Sequence, residues 1–282
     1  MEKEVDAMKK RYKWIAQFAL FIILTMLLTI PAFAEYKVYV NAGISHKINN
    51  ITLSCKEKTY EKYLLYMTKA GKKTTISSSY DGRDIISNGK IAYFCEIRSG
   101  KKWLSELDFK KEKVKRLKAL SDDENNIRLL DNYKSKIYYV NNYRDLYSYN
   151  LKNGKIKREL HDKHVNLWER KRHYFIIYGL DQKTAEPELG LYDTNNGKYY
   201  TISKNAKTWI IKSNSIYYVE GLTFDDNLDV HKTANVSVKK YNISTKKKKT
   251  LVKKITITWM GTLTSKSFSY YDINKKLKTK KW

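Results

Sequence analysis

The first residues that could do chemistry are two histidines three positions apart. The segment His161-Asp162-Lys163-His164 combines imidazole and carboxylate groups, which are ligands for transition metals. The spacing supplies no third ligand, and the ammonium group of Lys163 would repel a bound cation. The segment therefore favours a polar loop over a metal site. The remaining histidines are His46, His173 and His231, and they are scattered along the chain.

An acidic loop over residues 221–235 is the second candidate. Asp225, Asn227 and Asp229 are spaced like the start of a calcium-binding loop. Val230 stands where such a loop needs glycine, and Val236 stands where it needs glutamate, so two determinants fail. We therefore predict a solvated loop. If the protein has a small-ligand or metal site, we expect it at this loop and the carboxylates near it, which are Asp181, Glu186 and Glu188.

Carboxylates that could catalyse glycoside hydrolysis are few. That chemistry needs two carboxyl groups that converge on one bond, and the acids on predicted strands are Asp84, Glu96 and Glu106. Two of them facing each other across one face of the protein would favour such an enzyme, whereas spacing alone does not assemble a nucleophile, a base and an orienting acid. The sequence therefore predicts no catalytic residue, no metal and no cofactor, and it favours a binding protein over an enzyme.

The N-terminus has the three parts of a secretory signal. Four basic residues between positions 9 and 13 precede an apolar stretch over residues 14–30, and the Ala-Phe-Ala triplet at 32–34 fits the site that signal peptidase cleaves. An uncleaved membrane anchor is the alternative, and it would need about 20 apolar residues. We predict a signal-peptide helix over residues 1–34, cleavage near Ala34, and a mature protein that is secreted or held at the cell surface or wall.

The mature chain, residues 35–282, is strongly basic. The full chain has 56 lysines and arginines against 29 aspartates and glutamates, and removal of residues 1–34 leaves a net charge of +25. The excess is spread along the chain and includes the lysine run at 246–249. Such a field attracts polyanions, which outside a cell are wall polymers, lipid headgroups, acidic glycans and stray nucleic acid.

A short motif recurs along the mature chain. It has an aromatic or apolar residue, a polar residue that is often Asp or Asn, a few turn formers and then lysine; copies begin at Tyr66, Leu107, Tyr149, Tyr192, Tyr241 and Tyr271. The steps between copies are 41, 42, 43, 49 and 30 residues. Each copy is interpreted as a hairpin. The Asn-Gly pairs at 153–154 and 196–197 predict type I′ turns, in which both central residues have positive φ.

Two further strands precede most copies of the motif. Apolar runs without clean alternation indicate strands that are covered on both faces, and they lie at 91–95, 137–140, 174–178 and 216–219. A fourth segment lies upstream of these runs, at 127–130, 165–168 and 208–211. Four short strands in about forty residues indicate a β-propeller blade. We predict an all-β propeller of six blades, each of about four antiparallel strands, as one domain over residues 35–282.

The ends of the chain bear on whether such a ring closes. The last copy is short by about one strand, and residues 36–40 could complete its sheet. An open β-solenoid is the alternative architecture.

These units resemble the blades of six-bladed TolB-like propellers. The resemblance rests on units such as 136–141, 146–150 and 153–155 and covers most of residues 50–260. Propellers of lipoprotein-receptor type, with Tyr-Trp-Thr-Asp repeats, are similar, although this chain has Tyr-Tyr-Val at that place. The resemblance implies a binding or scaffolding role more often than catalysis, and no functional residue carries over from it.

The repeat also positions the cysteines and three tryptophans. Cys55 and Cys95 occupy equivalent places 40 residues apart, so their side chains should point the same way around the ring and remain two separate buried thiols. Trp168, Trp209 and Trp259 lie near the starts of their blades. We expect them to be packed in the core, with a stacking surface for sugar rings as the alternative.

We therefore expect an exported, monomeric, non-enzymatic propeller. Its partner would be an anionic extracellular polymer such as cell-wall polymer, bound through distributed lysines, without specific recognition of nucleic acid. Two alternatives remain open. One is an exported enzyme that acts on glycans at the channel mouth, and the other is a protein-binding ectodomain, which an exposed apolar patch would favour.

Overall fold

The protein is a succession of β-strands. A computed structural model describes the backbone of residues 37–40 and all atoms of residues 45–121, 126–142, 144–163, 165–180, 187–221 and 234–282. These ranges contain twenty-three strands and no helix. A helix able to span a membrane is accordingly not found in the described part of the chain. The predicted signal peptide lies outside the described residues.

The strands form six repeats. The first two repeats share strand β5 in one eight-stranded sheet, three four-stranded sheets follow, and the sixth sheet has three strands. Strand β1 (Lys37–Val40) precedes them. Repeat 1 has β2 (His46–Ile48), β3 (Ile51–Thr59), β4 (Lys62–Lys69) and the first half of β5 (Lys72–Ser87). Repeat 2 has the second half of β5, β6 (Ile91–Arg98), β7 (Lys101–Asp108) and β8 (Lys113–Ala119).

The other four repeats follow the same order. Repeat 3 has β9 (Ile127–Tyr133), β10 (Lys136–Asn141), β11 (Asp145–Asn150) and β12 (Ile156–Leu160). Repeat 4 has β13 (Leu167–Lys171), β14 (Tyr174–Leu180), β15 (Pro187–Asp193) and β16 (Lys198–Ser203). Repeat 5 has β17 (Ala206–Lys212), β18 (Ser215–Gly221), β19 (Ala234–Asn242) and β20 (Lys248–Ile257). Repeat 6 has β21 (Trp259–Leu263), β22 (Ser267–Tyr271) and β23 (Leu277–Lys281).

Each complete repeat is an antiparallel meander, and the core lies between successive sheets. The predicted apolar runs form the second strands, where Phe94 and Phe175 are fully buried. One cluster joins Tyr138 of repeat 3 to Phe175 of repeat 4, and another joins Ile176 of repeat 4 to Tyr218 of repeat 5. Sheets covered by neighbours on both faces are the arrangement of propeller blades. The predicted fold class is therefore confirmed.

The hairpins between third and fourth strands differ from the prediction. Only the glycine of each Asn-Gly pair, Gly154 and Gly197, has positive φ, so the turns are not type I′. Instead the amide of Gly154 donates to the carbonyl of Asn150, four residues back, at 2.8 Å. The Asn150 side chain also accepts from the amide of Lys152 at 2.9 Å. An Asx turn stabilises this longer loop, which explains why the motif prefers Asp or Asn at its second position.

One backbone hydrogen bond recurs at the end of the third strand and fixes the register of the sixth repeat. The amide of the residue that follows the third strand donates to a carbonyl in the turn that precedes the second strand. The pairs are Phe109 to Lys90, Leu151 to Ser135, Thr194 to His173 and Ile243 to Asn214. In repeat 6 the equivalent pair is Trp282 to Lys266 at 3.1 Å. Strand β23 is therefore a third strand, and the fourth is absent from the described residues of this sheet.

This register corrects the alignment of the last motif copy. Tyr271 ends β22, a second strand, whereas the earlier copies end third strands. The turn after Tyr271 has the same Asx geometry, with the Asp272 carboxylate accepting from the amide of Asn274 at 2.9 Å. The same local chemistry therefore serves a different hairpin, which accounts for the short step of 30 residues.

The N-terminal strand does not complete the last sheet, so that prediction is wrong. Strand β1 pairs antiparallel with β5, where Lys37 is opposite Ser87 and Val40 is opposite Asp84. The second half of β5 is the first strand of repeat 2, and β1 pairs with the edge that faces away from β6.

Strand β5 bends where it passes from one repeat to the next. Its first half pairs with β4 up to Tyr80, and its second half pairs with β6 from Ile85. Between them Gly82 has a φ of 72°, and a Cβ atom there would lie 2.4 Å from the ring of Tyr63. Only glycine combines that backbone conformation with so close an aromatic ring.

The cysteine prediction is confirmed in part and the tryptophan prediction is partly wrong. Cys55 and Cys95 lie on equivalent second strands and do not form a disulfide with each other; Cys95 is buried as expected, whereas Cys55 is only half-buried. Burial raises the pKa of the Cys95 thiol well above its ordinary value. Trp168 and Trp209 pack against the core clusters as expected. Trp259 is 69% exposed and is not a core residue.

Candidate polyanion-binding surface

The outermost strands of the six repeats are rich in cations and poor in carboxylates. We define them as residues 72–80 of β5 together with β8, β12, β16, β20 and β23. They contain sixteen lysines and arginines and one carboxylate, Glu159. An outermost strand has only one neighbour in its sheet, so its side chains reach solvent, and lysine there also blocks edge-to-edge aggregation. Part of the excess positive charge is therefore concentrated at one position within the repeat.

Strands β8 and β20 are the most basic of these. In β8 the exposed side chains are Lys113, Lys115, Arg116 and Lys118. In β20 they are Lys248, Lys249, Lys253 and Lys254. Among the described residues, Arg116 alone of these eight has a carboxylate within 4 Å, namely Glu96 at 3.7 Å. The other seven cations are available to an external anion.

Six acidic side chains of the repeats are buried. Those less than 9% exposed lie away from the outermost strands, and they are Asp81, Asp84, Glu96, Asp131, Glu188 and Asp193. Because burial of an unpaired carboxylate is costly, cations or donors engage them. Burial of these six carboxylates adds to the excess of positive charge at the surface.

Two of these pairs join the first strands of adjacent repeats. Asp84 of β5 accepts from Nε and Nη2 of Arg128 in β9 at 2.7 and 3.0 Å, and from the amide of Leu129 at 3.1 Å. Asp131 of β9 accepts from Nε of Arg170 in β13. Burial raises the pKa of Asp84, and the hydrogen bonds and charge of Arg128 oppose that rise. These pairs hold neighbouring repeats together and leave neither carboxylate available for catalysis.

Glu159 is the one carboxylate of the outermost strands, and it faces inward. Its side chain is 2% exposed and accepts from Ser148 at 2.7 Å, from Lys157 at 2.6 Å and from the phenol of Tyr192 in the next repeat at 2.8 Å. Burial raises its pKa, but the hydrogen bonds from Lys157, Ser148 and Tyr192 outweigh burial, so the pKa lies below the ordinary value.

We expect Glu159→Gln to lower the free energy of unfolding by about 1–3 kcal/mol at pH 7. A lowered folded-state pKa contributes stability above the unfolded pKa, near 4.3, and that contribution is lost as the pH falls through the folded-state value. The difference between the wild type and the variant should therefore shrink below about pH 4. Urea unfolding at pH 7 and pH 3.5 measures it. The exposed Glu57→Gln is the matched control, and a difference independent of pH would contradict the assignment.

The structure brings a third group to the histidine segment that the sequence could not place. Asp145 lies within 3.1 Å of His161 Nδ1 and accepts from the amide of Asp162 at 2.9 Å. Arg158 is 3.6 Å from the same carboxylate, so a cation of the chain already neutralises it. His164 is outside the described residues. The arrangement favours a polar, self-satisfied loop, and the predicted absence of a metal site stays a prediction.

The carboxylates considered for glycan hydrolysis do not form a free pair. Asp84 is held by Arg128, and Glu96 accepts from Ser77 at 2.6 Å and from Ser105 at 2.7 Å. Glu106 lies beside β8, opposite Lys115. Burial raises the pKa of Glu96, but these serines and Arg98 lower it overall, which keeps the carboxylate charged. A general acid needs the opposite shift.

The acidic loop cannot be compared with its prediction, because residues 222–233 lie outside the described residues, as do Asp181 and Glu186. Glu188 is described and is 3% exposed. It accepts from Lys163 at 3.0 Å and from Tyr199 at 2.7 Å. Glu188 and Lys163 therefore form a structural ion pair between neighbouring repeats.

A pocket of about 230 Å³ lies at the bend of β5. Its floor holds the buried Asp81–Lys102 ion pair at 2.9 Å, and its rim includes Tyr60, Glu57 and Glu61. Burial raises the pKa of Asp81, and Lys102 opposes that rise. The charges of Asp81 and Lys102 at the floor therefore neutralise one another.

The topology and the register define an all-β repeat protein of the β-propeller class. A family profile that matches the chain was not found, and neither was a curated protein. The chain is similar to three solved structures. The first is TolB from Acinetobacter baumannii, with 13% identity, coverage of 75% of this chain and 53% of that one, and a TM-score of 0.42. The second is a putative TolB from Agrobacterium tumefaciens, with 12% identity, coverage of 79% and 88%, and a TM-score of 0.38. The third is a nidogen/laminin complex, with 10% identity, coverage of 78% and 81%, and a TM-score of 0.40. The chain spans about half the length of the Acinetobacter protein. At these identities the likeness concerns the fold alone.

Proposed function

We propose that this protein is exported and binds an anionic polymer of the cell exterior through the outermost strands of its repeats, without catalysis. The observation that carries the proposal is the distribution of charge: the outermost strands hold sixteen cations and a single, inward-facing carboxylate, and six further carboxylates are buried away from these strands. The secretory pattern of residues 1–34 supports the location.

The proposed contacts are numerous and individually weak. Exposed ammonium groups on flexible side chains suit a charged polymer of variable shape better than a small ligand of fixed geometry. Each lysine near an anionic surface contributes about 1 kcal/mol at low salt, and screening shortens its reach to about 10 Å at 0.1 M salt. Binding should therefore decline steeply as salt is added.

The test is sedimentation of residues 35–282 with isolated bacterial walls, either native or stripped of anionic polymer, over a salt series. This part of the chain contains the compact unit Lys37–Trp282. Replacement of the four β20 lysines by glutamine should weaken binding by about tenfold or more at low salt. The substitutions are Lys248→Gln, Lys249→Gln, Lys253→Gln and Lys254→Gln.

A matched control removes the same charge from elsewhere. Lys47, Lys56, Lys58 and Lys90 are exposed and lie off the outermost strands. Their replacement by glutamine should weaken binding much less than the β20 set. Equal effects of the two sets would contradict a localised surface. Binding that persists on stripped walls or is indifferent to salt would contradict the proposal as a whole.

A further inference from the structure

The free edge of the sixth repeat is an unusual feature of the described chain. In repeats 1 to 5 a fourth strand pairs with the third. In repeat 6 the third strand is β23, and its outer edge has no partner among the described residues. All five residues of β23 are exposed. A backbone edge in this state can accept another strand.

The direction of the backbone groups shows which residues would pair. The amide of Trp282 donates to Lys266 and the carbonyl of Lys276 accepts from Asp272, so even-numbered residues face β22. Because the direction alternates along a strand, the amides and carbonyls of Leu277, Thr279 and Lys281 face outward. Three residues therefore offer hydrogen-bonding groups to an added strand.

One end of an exposed face of the same sheet is apolar. Trp259 is directly opposite Tyr271, and Tyr271 is directly opposite Leu277, so the three side chains form a ladder across the sheet. They are 69%, 39% and 60% exposed. Ile273, in the adjacent turn, is 63% exposed. Half of the large apolar side chains that are exposed in the described chain thus belong to this one repeat, whereas scattered single residues are the ordinary pattern.

The opposite face of β23 selects the charge of its partner. Lys278 and Lys280 lie on the face of Phe268 and Tyr270, whereas Lys281 lies on the face of Leu277, at the other end of the strand. A second copy of this strand would place lysines against lysines, which disfavours self-pairing. A strand added at this edge presents alternate residues to the two faces. An added strand would therefore be complementary to both faces of β23 if its apolar residues alternated with acidic ones.

We propose that the edge of β23 binds an extended peptide segment of a partner protein in which apolar and acidic residues alternate. The backbone of Leu277, Thr279 and Lys281 forms the ladder of hydrogen bonds. The apolar residues of the segment continue the Trp259–Tyr271–Leu277 face, and its carboxylates meet Lys278 and Lys280. The site shares the lysines of β23 with the candidate polyanion-binding surface, but it does not include the lysines of β8 and β20.

The test uses a blocked, labelled peptide of about seven residues that alternates valine and glutamate, matched to ordinary strand length. It is titrated into residues 35–282 and binding is followed by fluorescence anisotropy. Thr279→Pro removes an outward amide and leaves the hydrogen bonds to β22, so it should weaken binding by about tenfold or more, as proline does at an edge that must pair. Thr279→Ala keeps the amide and should bind like the wild type. Trp259→Ser should weaken binding through the apolar face.

Two further measurements separate strand addition from nonspecific attraction. A peptide with methylated backbone nitrogens should not bind, and this holds even if Thr279→Pro fails to fold. The β20 glutamine set should bind the peptide like the wild type, so failure of wall binding and failure of this proposal are distinguishable. Failure of the wild type to bind the peptide, equal binding of the methylated peptide, or a concentration-dependent dimer that Thr279→Pro abolishes would overturn the proposal.

Discussion

Replacement of Arg128 by methionine should lower the free energy of unfolding by about 3 kcal/mol at pH 7, because it leaves a buried carboxylate without its cation. Asp84 is 2% exposed, and Arg128 supplies two of its three hydrogen bonds. The pair joins β5 to β9, so its loss should loosen the contact between repeats 2 and 3. Urea unfolding monitored by tryptophan fluorescence measures the effect.

The pH dependence of this variant identifies the carboxylate as the cause. Burial already raises the pKa of Asp84 against the effect of Arg128, and removal of the guanidinium raises that pKa further. A raised folded-state pKa means that the cost is present at neutral pH and disappears as the pH falls below the unfolded value, near 3.9. The difference in the free energy of unfolding between the wild type and Arg128→Met should therefore become smaller at acidic pH.

Two further variants complete this test. Asp84→Asn combined with Arg128→Met should recover much of the lost stability, because the double variant no longer buries a charge. Arg98→Met is the matched control: Arg98 is 42% exposed, and Ser77 and Ser105 still hold its partner Glu96. It should cost less than about 1 kcal/mol. An Arg128→Met variant as stable as wild type would show that the pair does not hold the repeats together.

Replacement of Gly190 by alanine should cost about 2–4 kcal/mol through overpacking and a lost hydrogen bond. Gly190 lies in β15, and a Cβ atom there would be 1.9 Å from the phenol oxygen of Tyr199 on β16. That phenol donates to the buried carboxylate of Glu188 at 2.7 Å. The ring cannot move away from a new methyl group without breaking this bond, because Lys163 also lies over it, 5.1 Å from its centre.

The effect of Gly190→Ala should depend on the ring. In a Tyr199→Ala background the methyl group has space, so the same substitution should cost less than about 1 kcal/mol, and the two changes should be far from additive. Thermal or urea unfolding of the four proteins gives the coupling energy. Additive costs would mean that Gly190 serves the backbone conformation of β15 rather than the packing of Tyr199.

The repeat and the strand order could be predicted from the sequence because they depend on local patterns. Buried second strands give runs of apolar residues, and Asx turns recur because Asp or Asn caps the loop amides. The turn type was missed because the same residues stabilise a longer loop when the side chain of Asn150 bonds to Lys152. The sixth repeat was aligned wrongly because Asp272 makes the same turn in a different hairpin.

The ion pairs and the exposed ladder depend on which residues lie opposite one another in neighbouring strands and sheets. The order of residues along the sequence does not contain that information. Asp145 could have been placed near His161 by pairing β11 with β12, since Leu146 is opposite Leu160. The bond from Arg128 to Asp84 spans 44 residues and two sheets, and it has no local signal. The exposed ladder of the sixth repeat was likewise hidden, because Trp259 has the same residue type and similar spacing as the packed Trp168 and Trp209.

The shared strand β5 has a consequence for how the protein unfolds. Stacked repeats ordinarily lose structure one at a time, since each contacts only its neighbours. The sixteen residues of β5 serve two repeats at once, so neither of the first two can fray while the other stays intact. Cleavage of the backbone at Gly82 would divide one cooperative unit, whereas cleavage between β12 and β13 would fall at the boundary between repeats 3 and 4. The molecule is therefore a chain of five cooperative segments, although it has six repeats.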